Sequence, residues 1–172
     1  KEFIGKHNGT KGADSKVVEA NLRLGDLYKA AGKWKVAKKY YQTTISEFES
    51  RALQPETPTA AFAAKAAFEL VDVDFRSYEK MKLAGSLARQ GRTVQAKRAK
   101  LQELEGRYVQ MFDYKAFGWT IAGFYRIGQL YELFAKMLYD APDPTGLDDD
   151  TMDEYRTMIE DQGLKWENVA IE

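Results

Sequence analysis

One stretch of this sequence returns, and its return limits what the chain can fold into. Ala20-Asn21-Leu22-Arg23-Leu24-Gly25-Asp26-Leu27-Tyr28 comes back as Gly123-Phe124-Tyr125-Arg126-Ile127-Gly128-Gln129-Leu130-Tyr131, with arginine, glycine, leucine and tyrosine at the same offsets. A glycine inside a helix costs about 1 kcal/mol against alanine. Its recurrence in one frame therefore implies two helices that each press closely on a neighbour, and leucine at Gly25 or Gly128 is expected to overpack the crossing.

Around the first copy the chain continues through Ala31-Gly32, then Trp34, Ala37 and Tyr41. This pattern resembles the tetratricopeptide repeat (TPR), a helix-turn-helix unit of about 34 residues with leucine-glycine, tyrosine, alanine and an aromatic at set places. The resemblance covers Val18 to Ser50 in full form and the helix around Gly128 in half form. Gly25 and Gly128 lie 103 positions apart with no clean Leu-Gly-x-x-Tyr between them, so the intervening units must be stretched. The fold expected is all-α, a TPR-like helical-hairpin solenoid with elongated helices.

Taken in order, residues 1–12 read as the tail of a preceding helix ended at Asn8-Gly9, and residues 14–52 as the TPR-like unit. Asp14 or Ser15 is placed to cap its first helix, which carries Val18, Leu22, Leu24, Leu27, Tyr28 and Ala31 as an apolar stripe. Trp34, Ala37, Tyr41, Ile45 and Phe48 form the stripe of the second helix. Thr57-Pro58 has the form of an N-cap with proline at the first helical position. From there to Gln90 no breaker appears, and Gly91 is expected to reverse the chain into a helix from Thr93 to about Phe112, giving a long hairpin over 57–113. The second TPR-like unit spans 116–163. Its first helix runs over Phe117 to Tyr139, is ended by Ala141-Pro142-Asp143-Pro144-Thr145-Gly146, and is followed by a helix opened by Asp148, Asp149 and Asp150 and closed by Gly163. Residues 164–172, with Trp166 and Val169, begin a further helix, so both ends read as cuts through a longer array.

Composition excludes several classes of function. With 26 basic and 26 acidic residues the chain has no net charge, hence no global attraction to nucleic acid or an anionic membrane. Locally, Arg76 to Lys115 holds ten basic and four acidic residues, and Asp140 to Glu172 eleven acidic and two basic. The basic run Arg89, Arg92, Lys97, Arg98, Lys100 lacks interleaved aromatics and reads as a solvated helix face. Cysteine is absent and His7 is the one histidine, so no thiolate nucleophile, multi-histidine metal site or histidine-based catalytic pair is expected. The aspartates at 140, 143, 148, 149 and 150 lack the oxygen spacing of an EF-hand and read as helix caps. Asn8-Gly9-Thr10 matches a glycosylation acceptor and reads as a turn. Ala116 to Tyr139 is interrupted by Arg126, Gln129, Glu132 and Lys136, the pattern of an amphipathic helix and not of a membrane span. No cofactor and no metal are expected.

Further residues narrow the resemblance. Stretched helices, Tyr125-Arg126-Ile127-Gly128-Gln129-Leu130-Tyr131, Asp140-Ala141-Pro142-x-Pro144, Gly146-Leu147 and a closing Ala170-Ile171-Glu172 look like large envelope TPR proteins of myxobacteria and related bacteria, including those associated with gliding motility. The resemblance implies a periplasmic or outer-membrane-associated scaffold that binds other proteins; since side chains for acid-base or covalent catalysis are not clustered in the sequence, no enzyme is expected. In TPR proteins the first helix of each unit lines a concave groove that holds a segment of another protein. Carried onto matching positions, the groove candidates are Glu19, Leu22, Asp26 and Lys29 on the first helix, and Ala122, Tyr125, Gln129 and Glu132 on the later one. A module binding a peptide or glycan fragment for an envelope enzyme is the alternative.

Overall fold

Asp14 and Ser15 begin a helix without capping it, and Gly32, at φ +69°, ends that helix two residues after its last turn. The computed structural model describes residues 1–7, 10 and 12–171. Among them it has seven α-helices and no strand: α1 (Glu2–His7), α2 (Asp14–Ala30), α3 (Trp34–Ser50), α4 (Pro58–Glu79), α5 (Leu87–Gln110), α6 (Phe117–Tyr139) and α7 (Asp149–Ile171), with a 3-10 turn at Met111–Tyr114. The chain is all-α. Asn8 and Gly9 of the expected turn and glycosylation acceptor, and Glu172, lie outside the described residues. No helix among those described is long and apolar enough to cross a membrane.

The chain forms two compact units, one of Lys1–Val73 with Tyr108–Gly123, the other of Asp74–Arg107 with Phe124–Glu172. In the first, α2 and α3 make an antiparallel hairpin. Val18 meets Phe48 near the open end, and Leu22, Ala37 and Tyr41 pack together nearer the turn. The first part of α4 then lies along α2 in the same direction: Ser15 Oγ is 2.6 Å from Thr59 Oγ1, Lys65 Nζ donates to Asp26 at 2.7 Å, and Lys29 pairs with Glu69. Ala60, Ala63, Ala64 and Ala66 are all fully buried. Their small side chains let α4 come close, and each buried apolar group adds to the hydrophobic driving force. Thr57 caps α4 as its sequence suggests, accepting from the Ala60 amide at 3.1 Å. Asp14 instead pairs with Arg51, closing the open end of the hairpin.

In the second unit α6 is central. Tyr78, on the last turn of α4, donates to the Leu130 carbonyl at 2.6 Å, and the Arg126 guanidinium lies 4.6 Å from the Phe75 ring, so these two helices run in the same direction. α5 lies antiparallel to α6, with Lys97 donating to the Leu133 carbonyl at 3.0 Å and Tyr131 to Glu105 at 2.8 Å. α7 is antiparallel to α6 on another side: Trp166 stacks on Tyr131 and touches Phe134, ring centroids 5.8 and 4.6 Å apart. Asp148 accepts from the Thr151 amide at 2.9 Å and caps α7. Hydrogen bonding by the Thr151 side chain, followed by that of its amide, holds the Asp148 carboxyl below the usual range.

Four local expectations are corrected. The helix opened at Pro58 stops at Glu79, not Gln90. The reversal runs through 80–86, with Gly85 at φ +84°, while Gly91 sits inside α5. The cause is tertiary. Lys97, 1% exposed, donates to the Met81 carbonyl inside the reversal, and its ammonium lies 4.7 Å from the Tyr78 ring. Lys97 is therefore a buried structural group, not part of a solvated basic face. Gly163 does not close a helix: α7 passes through it to Ile171, because the contacts of Trp166 lie on the turn beyond. Leu27 is 66% exposed, since at about 100° per residue it points well away from the buried Leu22.

Candidate functional site

The two sets of groove positions have different surroundings. On α2, Leu22 is 5% exposed and packs with Ala66 of α4. Asp26 accepts from Tyr41 Oη at 3.0 Å and from Lys65, Lys29 is held by Glu69, and Glu19 pairs with Lys16 at 3.0 Å and Arg23 at 2.6 Å. The Lys16 and Arg23 hydrogen bonds keep the Glu19 carboxyl below its ordinary pKa. Burial, followed by the Asp26 hydrogen bond, drives the Tyr41 hydroxyl well above its ordinary pKa, so it serves as a fixed donor. Leu22, Asp26 and Lys29 thus face α4.

On α6 the corresponding face is open. Tyr125 is 66% exposed, and its hydroxyl accepts from Gln129 Nε2 at 3.2 Å, while Gln129 Oε1 accepts from Arg126 at 2.6 Å. Tyr125, Gln129 and Glu132 line one side of a cleft of about 670 Å³, with Gly128 and Ala135 along it and Glu167, Ala170 and Ile171 of α7 opposite. Ala122 lies in the other compact unit, half-buried, and does not line the cleft.

Gly128 has a role unlike that of Gly25. A Cβ at Gly25 would lie 2.6 Å from the buried Tyr41 ring. At Gly128 it would meet just the Ala170 carbonyl oxygen, at 3.8 Å, an ordinary contact. The half-buried glycine leaves the cleft unfilled, and the expectation that it marks a tight crossing is corrected. The tight approach in this hairpin lies elsewhere: a Cβ at Gly163 would come within 2.6 Å of Tyr139, whose hydroxyl donates to Glu167 at 2.9 Å.

Apolar groups and carboxylates dominate the cleft chemistry. Phe124 and Ile171 are 59% and 80% exposed at its edge. Glu132, Asp140 and Glu167 are acidic, and the one cation lining it, Lys136, is paired with Asp140 at 3.1 Å. No histidine or serine lines it. The arrangement is fitted to hold an apolar surface that carries positive charge. Among the described residues no group of three or more histidines or carboxylates is placed to hold a metal ion.

Sequence reasoning missed the α7 side of this cleft. Which residue of α7 comes opposite Gly128 depends on the path of 140–148, where a Ser86–Thr145 bridge and the Gln90 side chain, donating to the Pro142 carbonyl at 2.9 Å, set the return. No pattern within α7 reports that. Comparison with protein-family models, with curated proteins and with solved structures found no match to this chain.

Proposed function

We propose that this chain is a non-enzymatic, TPR-like scaffold segment that holds another protein along α6. One observation carries the reading: the face that α4 covers on α2 through Leu22, Asp26 and Lys29 is left uncovered on α6 at the matching positions Tyr125, Gln129 and Glu132. The antiparallel α2–α3 hairpin, with the next helix laid parallel on α2, is the packing expected of TPR-like units and supports that architecture. The internal pair also suggests the form of the occupant, an amphipathic helix bringing a small apolar residue and a cation to the face. A periplasmic or outer-membrane setting, in an assembly of the gliding-motility kind, rests on the sequence resemblance alone.

The test compares proteins captured from an envelope extract by the immobilised chain and by a Gln129→Arg, Glu132→Arg variant. Discrete proteins held by the wild type and lost from the variant support the scaffold. Equal capture by both contradicts it, and retention of peptidoglycan fragments in place of proteins would favour the ligand-presenting alternative.

A further inference from the structure

A separate recess opens in the second unit between α5 and α7, with α6 as its floor. It encloses about 350 Å³ and shares no residue with the α6 cleft. Phe134 and Leu138 form the floor and are nearly fully buried, while Val94, Met158, Ile159 and Trp166 supply the walls. The deepest polar groups are already satisfied: Tyr155 Oη donates to Gln90 Oε1 at 2.6 Å, and Gln90 Nε2 donates to the Pro142 carbonyl at 2.9 Å and the Gly85 carbonyl at 3.2 Å. A guest therefore meets an interior that asks for no hydrogen bond. Its ideal chemistry there is hydrocarbon.

The mouth differs from the interior. Arg98, its guanidinium 5.7 Å from the Trp166 ring, and Lys165 both line it. No carboxylate does, although α7 alone carries seven. We infer that the recess binds a single acyl chain with an anionic head, the chain lying on Phe134, Leu138 and Trp166 and the head held between Arg98 and Lys165. At about 30 Å³ for a water-sized group, the volume of about 350 Å³ admits about twelve carbons. This site is independent of the docking face on α6 and stands or falls separately from it.

Titration calorimetry on the whole chain tests it, with free alkyl carboxylates from about six to about fourteen carbons, and with decanol and decyltrimethylammonium as neutral and cationic probes. Affinity should rise about fourfold per methylene and level off at about twelve carbons, with decanol about tenfold weaker than decanoate. Arg98→Gln with Lys165→Gln should bring decanoate down to the level of decanol. Gly91→Leu places a side chain where a Cβ meets open space on a helical backbone; it should block binding while the thermal melt stays at or above wild type. Equal affinity for the cationic probe, no levelling with chain length, or undiminished binding in Gly91→Leu would each overturn the inference. So would binding to phosphatidylglycerol vesicles without uptake of free decanoate, which would assign the charge to a membrane surface.

Discussion

The α2–α3 and α6–α7 hairpins use one packing device with the partners exchanged. In the first, the glycine is on the leading helix and the tyrosine on the returning one: Tyr41 lies on Gly25 and its hydroxyl reaches Asp26. In the second, the tyrosine is on the leading helix: Tyr139 lies on Gly163 and reaches Glu167. The word repeated in the sequence, glycine followed three residues later by tyrosine, is therefore not the contact repeated in the structure. At Gly128 the opposite helix offers Ala170, too small to fill the space, and a cleft results. A helix glycine can admit a neighbour's ring or leave room for a guest. What stands opposite decides which.

Substitutions at the three glycines sharpen this contrast, and the largest effect belongs to Gly25. Tyr41 is fully buried and cannot swing aside, so Gly25→Ala should cost roughly 2 to 4 kcal/mol despite alanine's better helix propensity. Chemical denaturation measures it, and a loss below about 1 kcal/mol would mean the ring can move.

Lys97→Met comes next. It removes the donor to the Met81 carbonyl in the 80–86 reversal and to the Leu133 carbonyl on α6, at a cost of roughly 1 to 3 kcal/mol. It also carries a pH signature. Burial pushes the Lys97 amine down to about 8 from 10.5, with Glu79 opposing the shift. Across that interval the unfolded chain binds a proton that the folded chain does not, so this group's contribution rises from pH 8 toward 10.5 and is lost as pH falls through 8. The wild-type minus Lys97→Met difference in unfolding free energy should climb over the same interval. A flat difference would deny the shift.

Gly163→Ala should cost about 1 kcal/mol, less than Gly25→Ala, because Tyr139 is 46% exposed and can yield outward. A loss matching that of Gly25→Ala would erase the distinction between the two rings. The smallest effect has the opposite sign. Gly128→Ala meets no close atom and should stabilise by up to about 1 kcal/mol. A destabilised melt would show that Gly128 is a packing residue after all.

Much of the helix layout was legible because its signals are local. Gly32, Thr57-Pro58, the Pro142–Gly146 run and the aspartates before α7 each act on the few residues beside them, and the observed ends of α2, α4, α6 and α7 nearest these signals fall there. The break after Glu79 was not legible, since it is held by Lys97, far along the chain on another helix. Gly91 and Gly163 misled for the converse reason: a glycine is a stop signal only where no tertiary contact carries the helix onward. The candidate face followed the same division. Helical spacing puts Leu22, Asp26 and Lys29 on one side of α2, and Tyr125, Gln129 and Glu132 on one side of α6. It is silent on which set a neighbouring helix covers.

Whether the α6 face is a docking surface is most directly measured by photocrosslinking. A photoreactive residue at Tyr125 is compared with one at Leu27, equally exposed but not lining this cleft. A discrete crosslinked protein is expected from position 125 and none from 27. Equal products from both positions, or none from 125, would contradict it.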